Sequence, residues 1–327
     1  MQSGIAIFRN RKNLKNILKF FAPQSINKTE NNSLLHSITS SKKQIEFGDY
    51  ILQIDKSNPL GSYRKDYPLY DQFLPQICST LNGLIIDIGA NVGDTAISIF
   101  EKNTTAFVVG VEPDIDFGAE CQNNIDLNNL QDRFLLVQNF ISTEKGNFQI
   151  DKSKNSRTGS MVKTTESTES NSLSFAQLIE RVPENAAKSI DMLKVDTDGF
   201  DWDVLNSYCE AIADGAVPQH ARFVFFEFQT FLNNIGFSDP GRSERTLKYK
   251  KAILGLQENG YDRFCVFDNF GTHILQTSDV DVIIGLSDYM KRTQLHNKKS
   301  TIYHLDVLAY RKADEDFVKE QLQQYLK

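Results

Sequence analysis

The stretch Leu84-Ile85-Ile86-Asp87-Ile88-Gly89-Ala90-Asn91-Val92-Gly93-Asp94 decides the fold of this 327-residue chain. Its first five residues are apolar except for Asp87 and have the length of a buried strand, and Asp94 begins an amphipathic stretch. Glycines at positions 89 and 93 allow the backbone to turn tightly and to approach a ligand closely. Because the first N–H groups of a helix are free to bind an anion, the unit predicts a ligand site at the carboxyl end of the strand.

Short apolar runs alternate with amphipathic stretches on both sides of this unit. Further strands are predicted at Phe107–Val111, Phe134–Gln138, Ile190–Val195 and Phe223–Phe228, with helices beginning near Asp94, Pro113, Leu173, Phe200 and Arg242. The chain closes with two strands expected to pair antiparallel, Arg263–Asp268 and His304–Tyr310. This order predicts an α/β protein with a doubly wound, mostly parallel sheet that helices cover on both faces.

The region before this alternation is expected to divide into two parts. Residues 1–45 form a basic extension and linker, with eight basic residues against one acidic residue, while residues 46–82 lead into the core domain of residues 83–327. In residues 46–82 we expect a strand that begins at Ile45 and ends at Ile54, a turn at 58–61 and a helix over 68–80. Apolar residues at helical spacing within 14–21 indicate a basic amphipathic helix, which either touches an anionic membrane surface or packs on the domain.

Composition and charge exclude several classes of protein. The net charge of −6 disfavours a nucleic-acid-binding platform, which usually carries a basic field. The longest stretch without charged residues, Gln72–Ile86, is too short and too polar to span a membrane, and no signal peptide is evident. Four widely spaced cysteines without a CxxC pair favour reduced thiols in a cytoplasmic protein.

Glu112 identifies the type of ligand expected at the glycine turn. It ends the second strand, nineteen residues after Gly93, where a carboxylate suits the two hydroxyls of a ribose. A dinucleotide fingerprint would have glycine in place of Asn91, because pyrophosphate needs the closest backbone approach there. Asp87 also suits a ligand with an ammonium group and would repel pyrophosphate. These residues favour S-adenosylmethionine over a nicotinamide cofactor.

A second motif, Leu193-Lys194-Val195-Asp196-Thr197-Asp198-Gly199-Phe200-Asp201, ends the fourth strand of the alternation. Asp196 is expected to face the same crevice as Gly89, where a carboxylate binds an ammonium group, accepts a proton or holds a divalent ion. Asp198 is expected to cap the helix that begins near Phe200. We therefore take Asp196 as the first candidate for a catalytic or orienting group, and assign no residue as a metal ligand.

The chain resembles the FkbM-type S-adenosylmethionine-dependent methyltransferases. The resemblance extends over roughly residues 83–310 and rests on the glycine-turn motif, Val111-Glu112-Pro113, Asn124, Ser172-Leu173-Ser174-Phe175, Leu193-Lys194-Val195-Asp196 and Phe226-Glu227. It departs at Asp198-Gly199-Phe200-Asp201, where the family usually has Glu-Gly-x-Glu. The resemblance implies the seven-stranded class I methyltransferase sheet, with methyl transfer to a hydroxyl oxygen of a small molecule, typically a sugar, glycan or polyketide-like acceptor.

Weaker candidates complete the predicted site. Glu227 ends the fifth strand and is predicted to be a base or a supporting group, and Asn139 is predicted to contact adenine. His220 and His273 are alternative bases, although a structural role is expected for each. Two further functions stay open, a non-catalytic S-adenosylmethionine-binding module and a nicotinamide-dependent oxidoreductase. Acceptor specificity is expected in 151–172, which reads as a lid or disordered loop, in the 269–301 insertion and in the N-terminal segment.

Overall fold

The structure of the protein is a computed structural model. It describes residues 42–152, 160–164, 170–184, 186, 189–217, 219–233, 235–296 and 302–327. The chain divides into two compact units, residues 1–43 and residues 44–327. Residues 1–41, which include the predicted amphipathic helix, lie outside the described residues, so that helix stays a prediction.

Strands and helices alternate along most of the second unit. In chain order the strands are β1 (Lys42–Phe47), β2 (Tyr50–Asp55), β3 (Leu84–Ile88), β4 (Phe107–Val111), β5 (Phe134–Val137), β6 (Phe140–Ile141), β7 (Asn147–Asp151), β8 (Ser160–Thr164), β9 (Ser172–Leu173), β10 (Ile190–Val195), β11 (Phe223–Phe228), β12 (Arg263–Asp268), β13 (His273–Thr277) and β14 (Leu305–Tyr310). The α-helices are α1 (Leu60–Asp66), α2 (Phe73–Cys78), α3 (Asp94–Lys102), α4 (Ile115–Leu127), α5 (Phe175–Ile179), α6 (Asp201–Ala213), α7 (Arg242–Glu258), α8 (Val280–His296) and α9 (Glu315–Tyr325).

An eight-stranded sheet forms the centre of this unit, in the spatial order β13-β12-β14-β11-β10-β3-β4-β5. The strands from β11 to β5 are parallel, whereas β14 runs antiparallel to both β11 and β12. The prediction of a doubly wound, mostly parallel sheet is therefore confirmed. The strand beyond the seven predicted is β13, which lies in the 269–301 insertion and pairs with β12.

Two hydrophobic clusters cover the two faces of the sheet. Neighbouring residues of β3 alternate between them: Ile86 packs into one cluster and Ile85 into the other, each without exposed surface. The clusters explain why the central strands are apolar throughout rather than alternating with polar residues.

Four local predictions differ from the structure. Gly48, which has φ = +56°, turns the predicted strand from Ile45 to Ile54 into the hairpin of β1 and β2. The predicted turn at 58–61 instead begins α1, and the predicted helix over 68–80 is reduced to α2. Part of the predicted loop at 151–172 forms the antiparallel hairpin of β7 and β8. Among the described residues, no helix has both the length and the apolarity that crossing a membrane requires.

Candidate active site

A cavity of about 850 Å³ opens at the carboxyl ends of the parallel strands. Carboxyl side chains line it where three strands end. Glu112 directly follows β4, Asp196 directly follows β10, and Glu227 is the penultimate residue of β11. In the sheet these strands are separated only by β3, whose end carries Gly89. With neighbouring strands roughly 4.8 Å apart, the row from Glu112 to Glu227 spans roughly 14 Å. The predicted convergence of the two motifs on one crevice is thus present.

Gly89 brings the glycine turn against the end of β10. Its φ is +85°, and a Cβ at this position would overlap the carbonyl oxygen of Asp196. Glycine is therefore required both by the backbone conformation and by the neighbouring strand. Gly93, also at φ = +85°, precedes the first residue of α3 and turns the chain into that helix. Gly89 lines the cavity. Gly93 is not among the lining residues, and its role is to allow the backbone to turn into the helix.

Glu112 supports the glycine turn from the neighbouring strand. Its Oε2 accepts a hydrogen bond from Asn91 N at 2.8 Å, and its Oε1 accepts one from Asp114 N at 2.9 Å. Burial raises the pKa of Glu112 to about 7, although both backbone hydrogen bonds oppose the shift. The side chain is 6% exposed and lines the cavity. It therefore contacts the glycine turn and also borders the part of the cavity where a ribose is predicted.

Lys194 is the centre of an ion-pair network beneath the cavity. Its Nζ lies 2.9 Å from Asp87 Oδ1 and 3.3 Å from Asp196 Oδ2, and it donates to Gly89 O at 3.2 Å. Burial raises the pKa of Asp87 to about 6, which the ammonium of Lys194 opposes. Burial lowers the pKa of Lys194, but Asp87 and Asp196 outweigh it and hold the pKa well above its usual value. Asp87 has no exposed surface, so it acts on the cavity through Lys194.

Asn139 and Asp198 line the cavity, but each also has partners in the protein. Asn139 Nδ2 donates to Asn171 O at 3.1 Å, and its Oδ1 accepts from Arg181 at 2.7 Å. Asp198 accepts from Asn233 Nδ2 at 2.6 Å, and no side-chain cap hydrogen bond is present at the start of α6, so the predicted capping role is wrong. The backbone at Asp198 is left-handed, with φ = +54°.

Glu227 and its partner His304 form the second carboxyl site of the cavity. Oε1 of Glu227 lies 2.8 Å from Nδ1 of His304, while Oε2 is buried without a hydrogen-bond partner among the described residues. Burial and then the charges of Asp196 and Asp198 raise the pKa of Glu227 well above its usual value. Sequence reasoning singled out His220 and His273 but missed His304, because no local motif surrounds it.

Helix α1 and the segment that joins it to α2 also contribute residues that sequence reasoning missed. Arg64, Tyr70 and Asp71 line the cavity from the side of α3. Desolvation by the surrounding cavity wall, followed by the charges of Asp94 and Asp196, raises the pKa of Asp71 to about 7, although this residue keeps exposed surface. Tyr70 and Asp71 were missed because a regular helix was predicted over residues 68–80, with no site residue assigned to it.

Acidic groups dominate the lining of the cavity. Among the described lining residues seven are acidic and two, Arg64 and Lys194, are basic; the acidic residues are Asp71, Asp94, Glu112, Asp196, Asp198, Glu227 and Asp306. The lining therefore suits a cationic ligand such as a sulfonium and opposes a pyrophosphate. No group of three or more possible metal ligands is arranged to hold an ion within the described part of the chain.

A glycine turn, a carboxylate on the neighbouring strand and an acidic crevice in this sheet define a methyltransferase of the class that uses S-adenosylmethionine. The model of the methyltransferase FkbM domain matches residues 87–262, more than half of the chain. The chain belongs to this family, and the sequence resemblance is confirmed. No curated protein sequence matches it.

Several solved methyltransferase structures are similar to the chain at low identity. An O-methyltransferase from Bacillus cereus in complex with S-adenosylhomocysteine is 12% identical, with a TM-score of 0.38, and the match covers 91% of this chain and 96% of that one. An S-adenosylhomocysteine-bound methyltransferase from Podospora anserina is 10% identical, with a TM-score of 0.39 and coverage of 89% and 98%.

Proposed function

We propose that this methyltransferase methylates a hydroxyl oxygen of a ring-shaped small molecule, a sugar or glycan in first place and a polyketide-like ring in second. The observation that carries the proposal is an aromatic shelf on the cavity wall, formed by Phe231, Phe237 and Tyr303. Phe237 stacks on Tyr303 with ring centroids 5.4 Å apart and an interplanar angle of 13°. Phe231 meets Phe237 edge-on at 5.0 Å.

The shelf is open to a ligand. Phe237 is 36% exposed and Tyr303 is 37% exposed, so the stacked pair keeps accessible aromatic surface on the cavity wall. A sugar ring has an apolar C–H face that suits such a surface, and hydroxyls at its edge that need polar partners. Asn233, Asp198 and Asp306 line the same cavity and offer those partners.

Glu112, Asp196 and Glu227, whose carboxyl groups lie in a row along the strand ends, fit the proposed cofactor and acceptor. S-adenosylmethionine supplies an activated methyl group on a positively charged sulfur. Glu112 is proposed to hold the ribose hydroxyls and Asn139 to lie near the adenine. Asp196 is proposed to orient the ammonium or the transferring methyl, and Glu227 to take part in proton removal. The protein then mainly aligns the acceptor oxygen with the methyl carbon and removes the hydroxyl proton.

A screen for methyl acceptors tests the proposal. The full chain is incubated with S-adenosylmethionine and methyl glycosides, phenols, amines or carboxylic acids, and S-adenosylhomocysteine release is measured with the product mass. We expect a glycoside or another ring alcohol to gain one methyl group on oxygen. Phe237→Ala is expected to raise the acceptor KM about tenfold with unchanged cofactor affinity, whereas Phe317→Ala, which alters a stacked pair outside the cavity, is the control. Methylation of amines alone would refute the proposal.

A further inference from the structure

His304 lies against the carboxyl end of β11 because of how β14 pairs with that strand. The two strands are antiparallel, with Phe228 opposite Leu305 and Glu227 opposite Asp306. His304 immediately precedes Leu305, so the pairing brings its imidazole to Glu227, seventy-seven residues away in the sequence. The side chain of His304 is 25% exposed and that of Glu227 is 7% exposed, and both line the cavity.

The contact between the two side chains orients the imidazole. Nδ1 of His304 lies 2.8 Å from Oε1 of Glu227, a hydrogen-bond distance. When Glu227 is ionised, Nδ1 carries the proton and donates it to the carboxylate, which leaves Nε2 as an acceptor. Within the described part of the chain, no hydrogen bond to Nε2 is present. A neutral imidazole with one nitrogen held by a carboxylate and the other available has the arrangement that a general base requires.

Asp196 is less suited to proton removal than the imidazole. Its carboxylate is paired with Lys194 at 3.3 Å, within the network that also holds Asp87. That pairing fixes a negative charge beside the glycine turn, where a cofactor's cationic groups are proposed to lie. Asp196 therefore orients, and the proton needs another acceptor within reach of the aromatic shelf. Tyr303 of that shelf directly precedes His304 in the sequence.

We propose that His304 is the general base of the methyl transfer and that Glu227 positions it. The proposal rests on the proposed hydroxyl acceptor. Nε2 of His304 takes the hydroxyl proton while the acceptor oxygen forms its bond to the methyl carbon. The carbon–sulfur bond breaks, and its electron pair stays on sulfur. The resulting imidazolium is stabilised by the adjacent carboxylate of Glu227 until the proton passes to water.

The buried environment of Glu227 links the ability of the Glu227–His304 pair to accept a proton to cofactor binding. Oε2 of Glu227 has no partner among the described residues, although it is buried. Burial, Asp196, Asp198 and Asp71 favour the protonated form of Glu227, whereas Lys194 opposes them. A cation bound in the cavity offsets this repulsion. The pair is therefore expected to reach its proton-accepting form when the cofactor is in place.

The first test needs no acceptor. The full chain is labelled with 15N-histidine and saturated with S-adenosylhomocysteine or with S-adenosylmethionine, and long-range nitrogen–proton NMR spectra identify the tautomer of each histidine. The His304 signal is assigned by its loss in His304→Gln. We expect a protonated Nδ1 and an unprotonated Nε2 in the S-adenosylmethionine complex. A proton on Nε2 with an unprotonated Nδ1 would overturn the proposal.

The second test measures turnover with an acceptor found in the screen. His304→Gln is expected to lower kcat by a hundredfold or more, within the roughly 10²–10⁴ typical of general-base loss, with cofactor Kd changed less than twofold. Added imidazole is expected to restore part of the rate of His304→Ala. Glu227→Gln should lower kcat and change the His304 tautomer, whereas the exposed His296→Gln is the matched control.

The outcomes separate the two proposals. If His304→Gln retains full kcat while Asp196→Asn loses it, the assignment of the base is wrong and hydroxyl methylation stands. If the products carry the methyl group on nitrogen or carbon, the proposed function fails, whatever the tautomer of His304.

Discussion

Replacing Glu112 by glutamine is expected to weaken cofactor binding in a way that depends on pH. The carboxylate accepts from two backbone N–H groups, Asn91 N at 2.8 Å and Asp114 N at 2.9 Å. Glutamine has one acceptor oxygen, so its NH₂ group must face one of these two donors. The variant also loses the charge proposed to hold the ribose hydroxyls. Hydrogen bonds to a charged group contribute about 1.5–3 kcal/mol, which corresponds to a loss of about 10- to 150-fold in affinity.

The pKa of Glu112 determines the pH dependence. Burial raises this pKa to about 7, above the ordinary 4.5. If the ionised form binds, about a tenth of the free protein is competent at pH 6 and about nine-tenths at pH 8. Ionisation of Glu112 alone should therefore raise the cofactor affinity of the native protein about tenfold from pH 6 to pH 8. Glu112→Gln lacks this group, so its increase in affinity over the same range should be about ten times smaller.

Calorimetric titration with S-adenosylhomocysteine at pH 6, 7 and 8 measures both effects. The control is Glu258→Gln, which replaces an exposed glutamate at the end of α7. Asp71, whose pKa is also raised to about 7, contributes equally to both proteins and cancels in the comparison. An equal dependence on pH in the native protein and in Glu112→Gln would refute the reasoning, and an unchanged affinity would place the ribose elsewhere.

Two further predictions concern the turn and the ion-pair network beneath it. Gly89→Ala is expected to destabilise the protein by about 2–5 kcal/mol and to abolish S-adenosylhomocysteine binding, because a Cβ would overlap Asp196 O at a left-handed φ. Its control is Gly215→Ala, which has φ = +73° but open space around the Cβ, and which should cost only about 1–2 kcal/mol; equal losses in urea unfolding would exclude the proposed overlap. Lys194→Met leaves Asp87 buried without its cation and is expected to cost about 3–5 kcal/mol at pH 8. Because Lys194 holds down the pKa of Asp87, which is about 6 in the native protein, its removal raises that pKa further, so protonation of Asp87 relieves the cost as the pH falls towards 6; equal losses at pH 5 and pH 8 would contradict this account.

The sequence predicted the parallel core because strand and helix periodicities differ clearly there. Leu84–Ile88 is apolar at every position before its one carboxylate, which indicates burial on both faces, and Gly89 marks where the strand must end. The segment from 42 to 82 has no such contrast. Gly48 divides an apparently continuous strand, and α1 and α2 are each too short to give a helical period.

The site residues at the ends of the parallel strands could likewise be predicted from the sequence, whereas those brought in by other segments could not. Glu112, Asp196 and Glu227 were found because the carboxyl ends of parallel strands meet at one edge, so their positions follow from the strands themselves. His304 and Asp71 reach the cavity through strand register and through a turn with φ = +53°. Neither feature leaves a local signal, because each depends on contacts between residues far apart in the sequence.

The charge balance of the cavity connects these observations. Desolvation in the cavity, together with neighbouring acidic groups, raises the pKa of Asp71 and Glu112 to about 7 and that of Glu227 well above its usual value. With pKa values of about 7, Asp71 and Glu112 are each about half protonated at neutral pH, so binding of a cation should release protons there. A bound cation is expected to favour the ionised form of Glu227 in the same way, and so to prepare His304 as the proposed base. Cofactor binding and activation of the proposed base are then expected to be coupled through the charge of the cavity.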